Sequence, residues 1–158
     1  DVREGLFSFG HNFPAPGGSS YYLGDDGTPW KDRNRETWIT SRMAHVYSLA
    51  SFLGHPGSKE LAAAAIKGLR GELHDTANGG WYAGLTADGN ILPNKQCYAH
   101  AFVILAASSG VLADIPSAPK GAVIRIASTA TDRTILPQGN PMARGTEPMA
   151  ACTVAFGK

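Results

Sequence analysis

Glu36-Thr37-Trp38-Ile39-Thr40-Ser41-Arg42-Met43-Ala44-His45-Val46-Tyr47-Ser48 is the stretch on which the fold turns. Apolar residues recur there every three to four positions: Ile39, Met43, Val46 or Tyr47, Ala50 and Leu53. That is the period of a helix with one apolar stripe. Gly54 and Pro56 end it, the first supplying a left-handed stop and the second unable to continue a helix.

Working outward, a second helix is expected from Ser58, a good N-cap, through Ala62 to Ala65, Ile66 and Leu69 to about Asp75. Its alanine run favours helix and lets a neighbouring helix approach closely. A third helix is expected from about Asn94, with Tyr98, Phe102, Leu105 and Ser109 along one face, closing at Gly110. Between them, Trp81 to Leu85 and Asn90 to Leu92 bracket Asp88-Gly89, the pattern of a small β-hairpin within 79–92. Residues 1–35, punctuated by Pro14, Pro16, Gly17, Gly18, Gly24, Gly27 and Pro29, read as extended loop. Residues 114–158 hold five prolines and no amphipathic face, and read as an irregular tail.

Composition narrows the function classes. With 43% hydrophobic and 17% charged residues the chain can build a core and is not disordered in bulk. A formal net charge of +1 gives no reason to expect nucleic acid or a membrane surface as partner. No apolar run approaches the roughly 20 residues of a membrane span. Cys97 and Cys152 are too few for a disulfide framework and have no metal-ligand spacing around them; they read as reduced thiols in a cytoplasmic protein. The first residue is Asp1 rather than Met, so the true N-terminus is expected upstream.

Trp38 and Arg42 stand four residues apart, one turn above each other on one helix face. An indole offers a flat apolar platform for the C–H face of a sugar, and a guanidinium a rigid fork of donors for its oxygens. The plainer reading makes Trp38 core and pairs Arg42 with Glu36 or Asp32. Tyr98, at the start of the third helix, adds a phenol that can hydrogen-bond a sugar oxygen. His100 and His45 could move protons near neutral pH, but a lone helical histidine is more often packed than catalytic. His11, His55, His74, Asp75 and Asp88 sit at turns or helix ends and need no catalytic explanation. No carboxylate pair, phosphate loop, dinucleotide fingerprint, zinc motif or nucleophile elbow is present.

The run 36–48 resembles the helix signature of the N-acylglucosamine 2-epimerase superfamily, on its mannose and sulfoquinovose isomerase branch. Gly54-His55-Pro56-Gly57, Asn78-Gly79-Gly80-Trp81-Tyr82-Ala83 and Lys95-Gln96-Cys97-Tyr98-Ala99-His100 follow in the same order. The resemblance spans roughly residues 5–113. It implies an all-α fold, part of an (α/α)6 barrel with about three barrel helices plus the hairpin. The helices from Glu36 and Asn94 would be inner and the one from Ser58 outer. It implies a monosaccharide substrate and Trp38, Arg42 and Tyr98 as its contacts. It also implies aldose–ketose isomerisation, or epimerisation at C2, through an enediol without metal or nicotinamide. The histidines that move the proton would lie beyond this chain, so none here is assigned as catalytic.

On this reading residues 1–113 are an N-terminal fragment of the barrel domain. The bias of 114–158 to Pro, Arg, Ala and Thr is what an out-of-frame reading of GC-rich DNA gives; a disordered tail or a genuine truncation are the alternatives. Three other functions stay open: a 2-epimerase of N-acylated or disaccharide sugars, a noncatalytic sugar- or protein-binding helical module, and a fragment of an α/α-barrel glycosidase or lyase.

Overall fold

In a computed structural model, which describes residues 2–116 and 118, three helices form the framework: α2 (Thr37–Phe52), α3 (Ser58–Arg70) and α4 (Cys97–Leu112). Helix α2 is the middle element and packs along both α3 and α4, which touch each other far less. A further helix, α1 (Val2–Phe9), and a 3-10 turn at Gly10–Asn12 precede them. Two-residue strands complete the order. β1 (Tyr22–Leu23) pairs with β2 (Pro29–Trp30), and β3 (Arg35–Glu36), β4 (Gly84–Leu85) and β5 (Ile91–Leu92) form an antiparallel sheet in that order.

The buried face of α2 is built of small residues. Thr37, Thr40, Ser41, Ala44, Ser48 and Ala50 are buried along with Tyr47. Three of their hydroxyls are satisfied by the helix's own backbone: Thr40 donates to the Glu36 carbonyl, Ser41 to Thr37 and Ser48 to Ala44. Back-bonding of this kind lets a hydroxyl face sit in a core without an unpaired group. It also corrects the expected apolar stripe. Tyr47 and Ala50 are buried, but Val46, Leu49, Phe52 and Leu53 are exposed, because close approach of two helices selects small side chains over large ones.

Each boundary has a local cause. Gly54, at φ 74°, takes the left-handed turn after α2. Gly57, also left-handed at φ 76°, caps α3 in place of Ser58, whose hydroxyl lies 3.0 Å from His55 Nδ1 instead. Helix α3 ends at Arg70, short of Asp75, and α4 begins at Cys97 rather than Asn94. The 79–92 hairpin forms as expected, with Gly84 opposite Leu92, and gains β3 as a third strand. The expected loop over 1–35 is corrected by α1 and the 3-10 turn, held by the Tyr47 hydroxyl donating to the Phe7 carbonyl at 2.7 Å.

Trp81 plugs the base of the helix layer. It is fully buried, and its indole N–H donates to the Leu69 carbonyl at 2.6 Å. Cys97 is free and exposed. Apart from 114–116 and 118, the segment expected to be an irregular tail lies outside the described residues. Among the described residues no helix is long and apolar enough to cross a membrane.

Candidate functional site

The N-terminal ends of α2 and α4 lie side by side, and their first turns bring together Trp38, Arg42, Tyr98 and Phe102. The Arg42 guanidinium sits 4.7 Å from the Trp38 ring centre and 4.7 Å from that of Phe102. The Tyr98 ring meets Trp38 edge-on at 5.9 Å and Phe102 at 4.9 Å. One Arg42 N–H donates to the Tyr98 hydroxyl at 3.3 Å. Cation–π stacking of this kind contributes about 0.5–1 kcal/mol at an exposed site and holds the guanidinium plane by its faces. Stacking consumes no N–H, so the donor given to Tyr98 is the only one spent within the cluster. Arg42 has no carboxylate partner among the described residues, so the plainer reading that pairs it with Glu36 or Asp32 is not realised. Tyr98 is 54% exposed, so phenol and guanidinium both face solvent.

Glu36 supports this cluster from behind. It occupies the N-cap of α2, yet its carboxylate makes no cap hydrogen bond. One carboxylate oxygen accepts the Trp38 indole N–H at 3.0 Å and also the Tyr22 hydroxyl. The Tyr22 phenol is pushed up to about 12, first by burial and then by the hydrogen bond and charge of Glu36, with Arg33 and Arg42 pulling slightly the other way. The helix end finds other partners: the Thr37 N–H donates to the Ala83 carbonyl and the Thr37 hydroxyl to that of Tyr82. The three-stranded sheet thus fixes the start of α2.

The histidines lie elsewhere. His100 is 2% exposed; its Nε2 accepts the Trp81 backbone N–H at 3.1 Å and its Nδ1 lies 2.8 Å from the Gln96 carbonyl. That pair of contacts fixes the Nδ1–H tautomer and leaves no nitrogen for a ligand. His45 lies 2.6 Å from the Ser109 hydroxyl, deeper between α2 and α4. Asp75 anchors the loop before Trp81. It accepts from the Ala77 backbone N–H, and its pairing with Lys95 at 2.7 Å and the hydrogen bond from the Asn78 N–H hold its carboxyl well below the usual carboxylate range. Among the described residues no group of three His, Cys, Asp or Glu side chains stands close enough to hold a metal. A cleft of about 410 Å³ between α1 and the α2–α3 turn, lined by Phe7, Leu53 and His55 among others, lies at the far end of α2 from this cluster.

Trp38, Arg42 and Tyr98 are thus brought together, whereas His45 and His100 are not part of the group. Sequence reasoning missed Phe102, Glu36 and Tyr22 as members. Phe102 carried a usable signal, since it follows Tyr98 by four residues just as Arg42 follows Trp38. Tyr22 carried no signal for this pairing, because a residue of a two-residue strand 14 positions from its partner has no periodicity to betray it.

A profile of the N-acylglucosamine 2-epimerase family matches residues 17–149, and the chain belongs to that family. The chain is 39% identical over 98 residues to a D-mannose isomerase of Thermobifida fusca, across 61% of this chain and 24% of that protein. It is 44% identical over 82 residues to a D-mannose isomerase of Pseudomonas cannabina pv. alisalensis, across 52% of this chain and 20% of that protein. The chain therefore spans between a fifth and a quarter of the length of these relatives.

Proposed function

We propose that this chain supplies the sugar-contacting first part of an aldose–ketose isomerase acting on a monosaccharide such as mannose, within an (α/α)6 barrel. The observation that carries the reading is Arg42, stacked on two aromatic rings with one N–H given to the Tyr98 hydroxyl and its guanidinium otherwise turned to solvent. Trp38 and Tyr98 complete a surface with an apolar plane and a polar edge, the two features a pyranose or open-chain sugar presents. The D-mannose isomerases among the relatives favour the same substrate class.

In such a reaction the C2 hydrogen leaves as a proton and returns at C1, while the C1 carbonyl becomes a hydroxyl and the C2 hydroxyl a carbonyl. Negative charge builds on the oxygen at C1 in the intervening enediol. Arg42 would hold that oxygen, stabilising charge as it develops. The base would be a histidine of the remaining barrel, since His100 spends both ring nitrogens on the backbone and His45 faces Ser109. Epimerisation at C2 uses the same proton and is the nearest variant.

The test is a chimera in which residues 1–113 replace the corresponding part of the Thermobifida fusca enzyme. It is expected to interconvert mannose and fructose, and Arg42→Ala is expected to remove most of that turnover; full activity in the variant would take Arg42 out of the mechanism. The engaged state of both histidines also favours a second reading, in which the chain alone binds sugar without converting it. Saturable mannose binding that needs Trp38 and Arg42, with no fructose formed, would support that reading.

A further inference from the structure

We infer that Glu36 is a positioning residue for the sugar platform, fixing the plane of the Trp38 indole through a hydrogen-bonded chain that begins at Tyr22. The inference rests on the proposed sugar-binding role of Trp38 and Arg42 and names what holds their geometry.

Three observations carry it. First, Glu36 stands where a side chain usually caps a helix, and its carboxylate does not cap. Both donors it takes, the Trp38 indole N–H and the Tyr22 hydroxyl, reach the same oxygen. Second, an indole has one donor, and satisfying it selects one ring orientation. That orientation sets the face on which Arg42 stacks at 4.7 Å and the edge that Tyr98 meets at 5.9 Å. Third, Tyr22 belongs to β1, whose pairing with β2 places Tyr22 opposite Trp30, so the chain is anchored in a separate piece of backbone. A ring held from one side by a charge-assisted hydrogen bond and stacked on the other by a guanidinium loses little further freedom on binding. Without Glu36, the Trp38 N–H would have no acceptor among the described residues and the ring could turn.

The experiment uses the full chain, with D-mannose as the probe. Affinity is measured by calorimetric titration, and the Trp38–Tyr98 coupling by near-ultraviolet circular dichroism of the unliganded protein. Glu36→Ala is expected to weaken mannose binding about tenfold and to change the aromatic dichroism, the size expected for losing hydrogen bonds to a charged group. Glu36→Gln keeps an oxygen able to accept from both donors and is expected to recover most of the affinity and the spectrum. Tyr22→Phe is expected to give a loss of roughly threefold, an intermediate effect for one hydrogen bond. Unchanged affinity and dichroism in Glu36→Ala, with the wild type binding mannose and Arg42→Ala failing to bind, would overturn the positioning role and leave the sugar reading intact. A similar loss in Glu36→Gln and Glu36→Ala would also overturn it, since mere disturbance of the helix start would not be rescued by an acceptor. Absence of mannose binding both in the wild-type chain and in the chimera would overturn the sugar reading, and this inference with it.

Discussion

Arg42 is held by the faces of Trp38 and Phe102, a way of fixing a cation that depends on its being flat. A lysine would keep the charge and lose both the stacking plane and the fork. Arg42→Lys is therefore expected to weaken sugar binding nearly as much as Arg42→Ala, measured by the same titration; recovery by lysine would mean that charge alone matters. His100 is the contrasting case, a histidine next in line to a functional group yet serving only the backbone. Replacing it by alanine strands the buried Trp81 N–H, which costs about 1–3 kcal/mol. A denaturant titration of His100→Ala is expected to read that loss. Both sit in the first turns of their helices, and the sequence already favoured Arg42 as a sugar contact and His100 as a packed residue. What separated them was direction, and Gly80 at φ 74° decides it by bringing the Trp81 N–H onto the imidazole.

At the scale of elements, α2, α3 and α4 were legible because stop signals and spacing are local: Gly54, Pro56 and the alanine run each act within one turn. Helix α1 was not, since eight residues are marginal alone and are held here from distant sequence by Tyr47, whose hydroxyl donates to the Phe7 carbonyl. The buried face of α2 was misread for a related reason, because apolar periodicity marks large residues and the packing uses small ones. The site was half legible: Trp38 and Arg42 share a turn, whereas Glu36 and Tyr22 join them only through tertiary contact. The loop between α3 and β4 makes a pH prediction. Asp75 has its carboxyl depressed in the folded chain, so its contribution to stability is complete above the unfolded value of about 3.9 and is lost as pH falls through the folded one. Thermal stability is expected to decline below about pH 4 in part for this reason. Asp75→Asn should be less stable at neutral pH and show a flatter acid limb; an unchanged limb would free the Asp75–Lys95 pair of that role.

For the molecule as a whole, the outward side of α2 and α4 is apolar. Leu49, Phe52, Leu53, Val111 and Leu112 are all exposed, Leu112 by 75%. Exposed apolar side chains in such number bind hydrophobic dyes and promote association. Replacing Leu49, Phe52 and Leu112 together by serine is expected to lower dye binding and self-association, at about 0.5 kcal/mol or less per site in stability. Strong dye binding retained in the triple variant would place the sticky surface elsewhere. Trp81→Ala acts in the opposite sense, emptying the interior and costing about 3–5 kcal/mol. The aromatic cluster itself has a consequence for biosynthesis. Arg42 and Tyr98 meet across 56 residues, and every other member lies between Tyr22 and Phe102. A ribosome adding 5–20 residues per second covers that interval in roughly 3–11 seconds. Its two walls therefore emerge within seconds of each other, so the aromatic side chains wait only that long for their partners on the nascent chain.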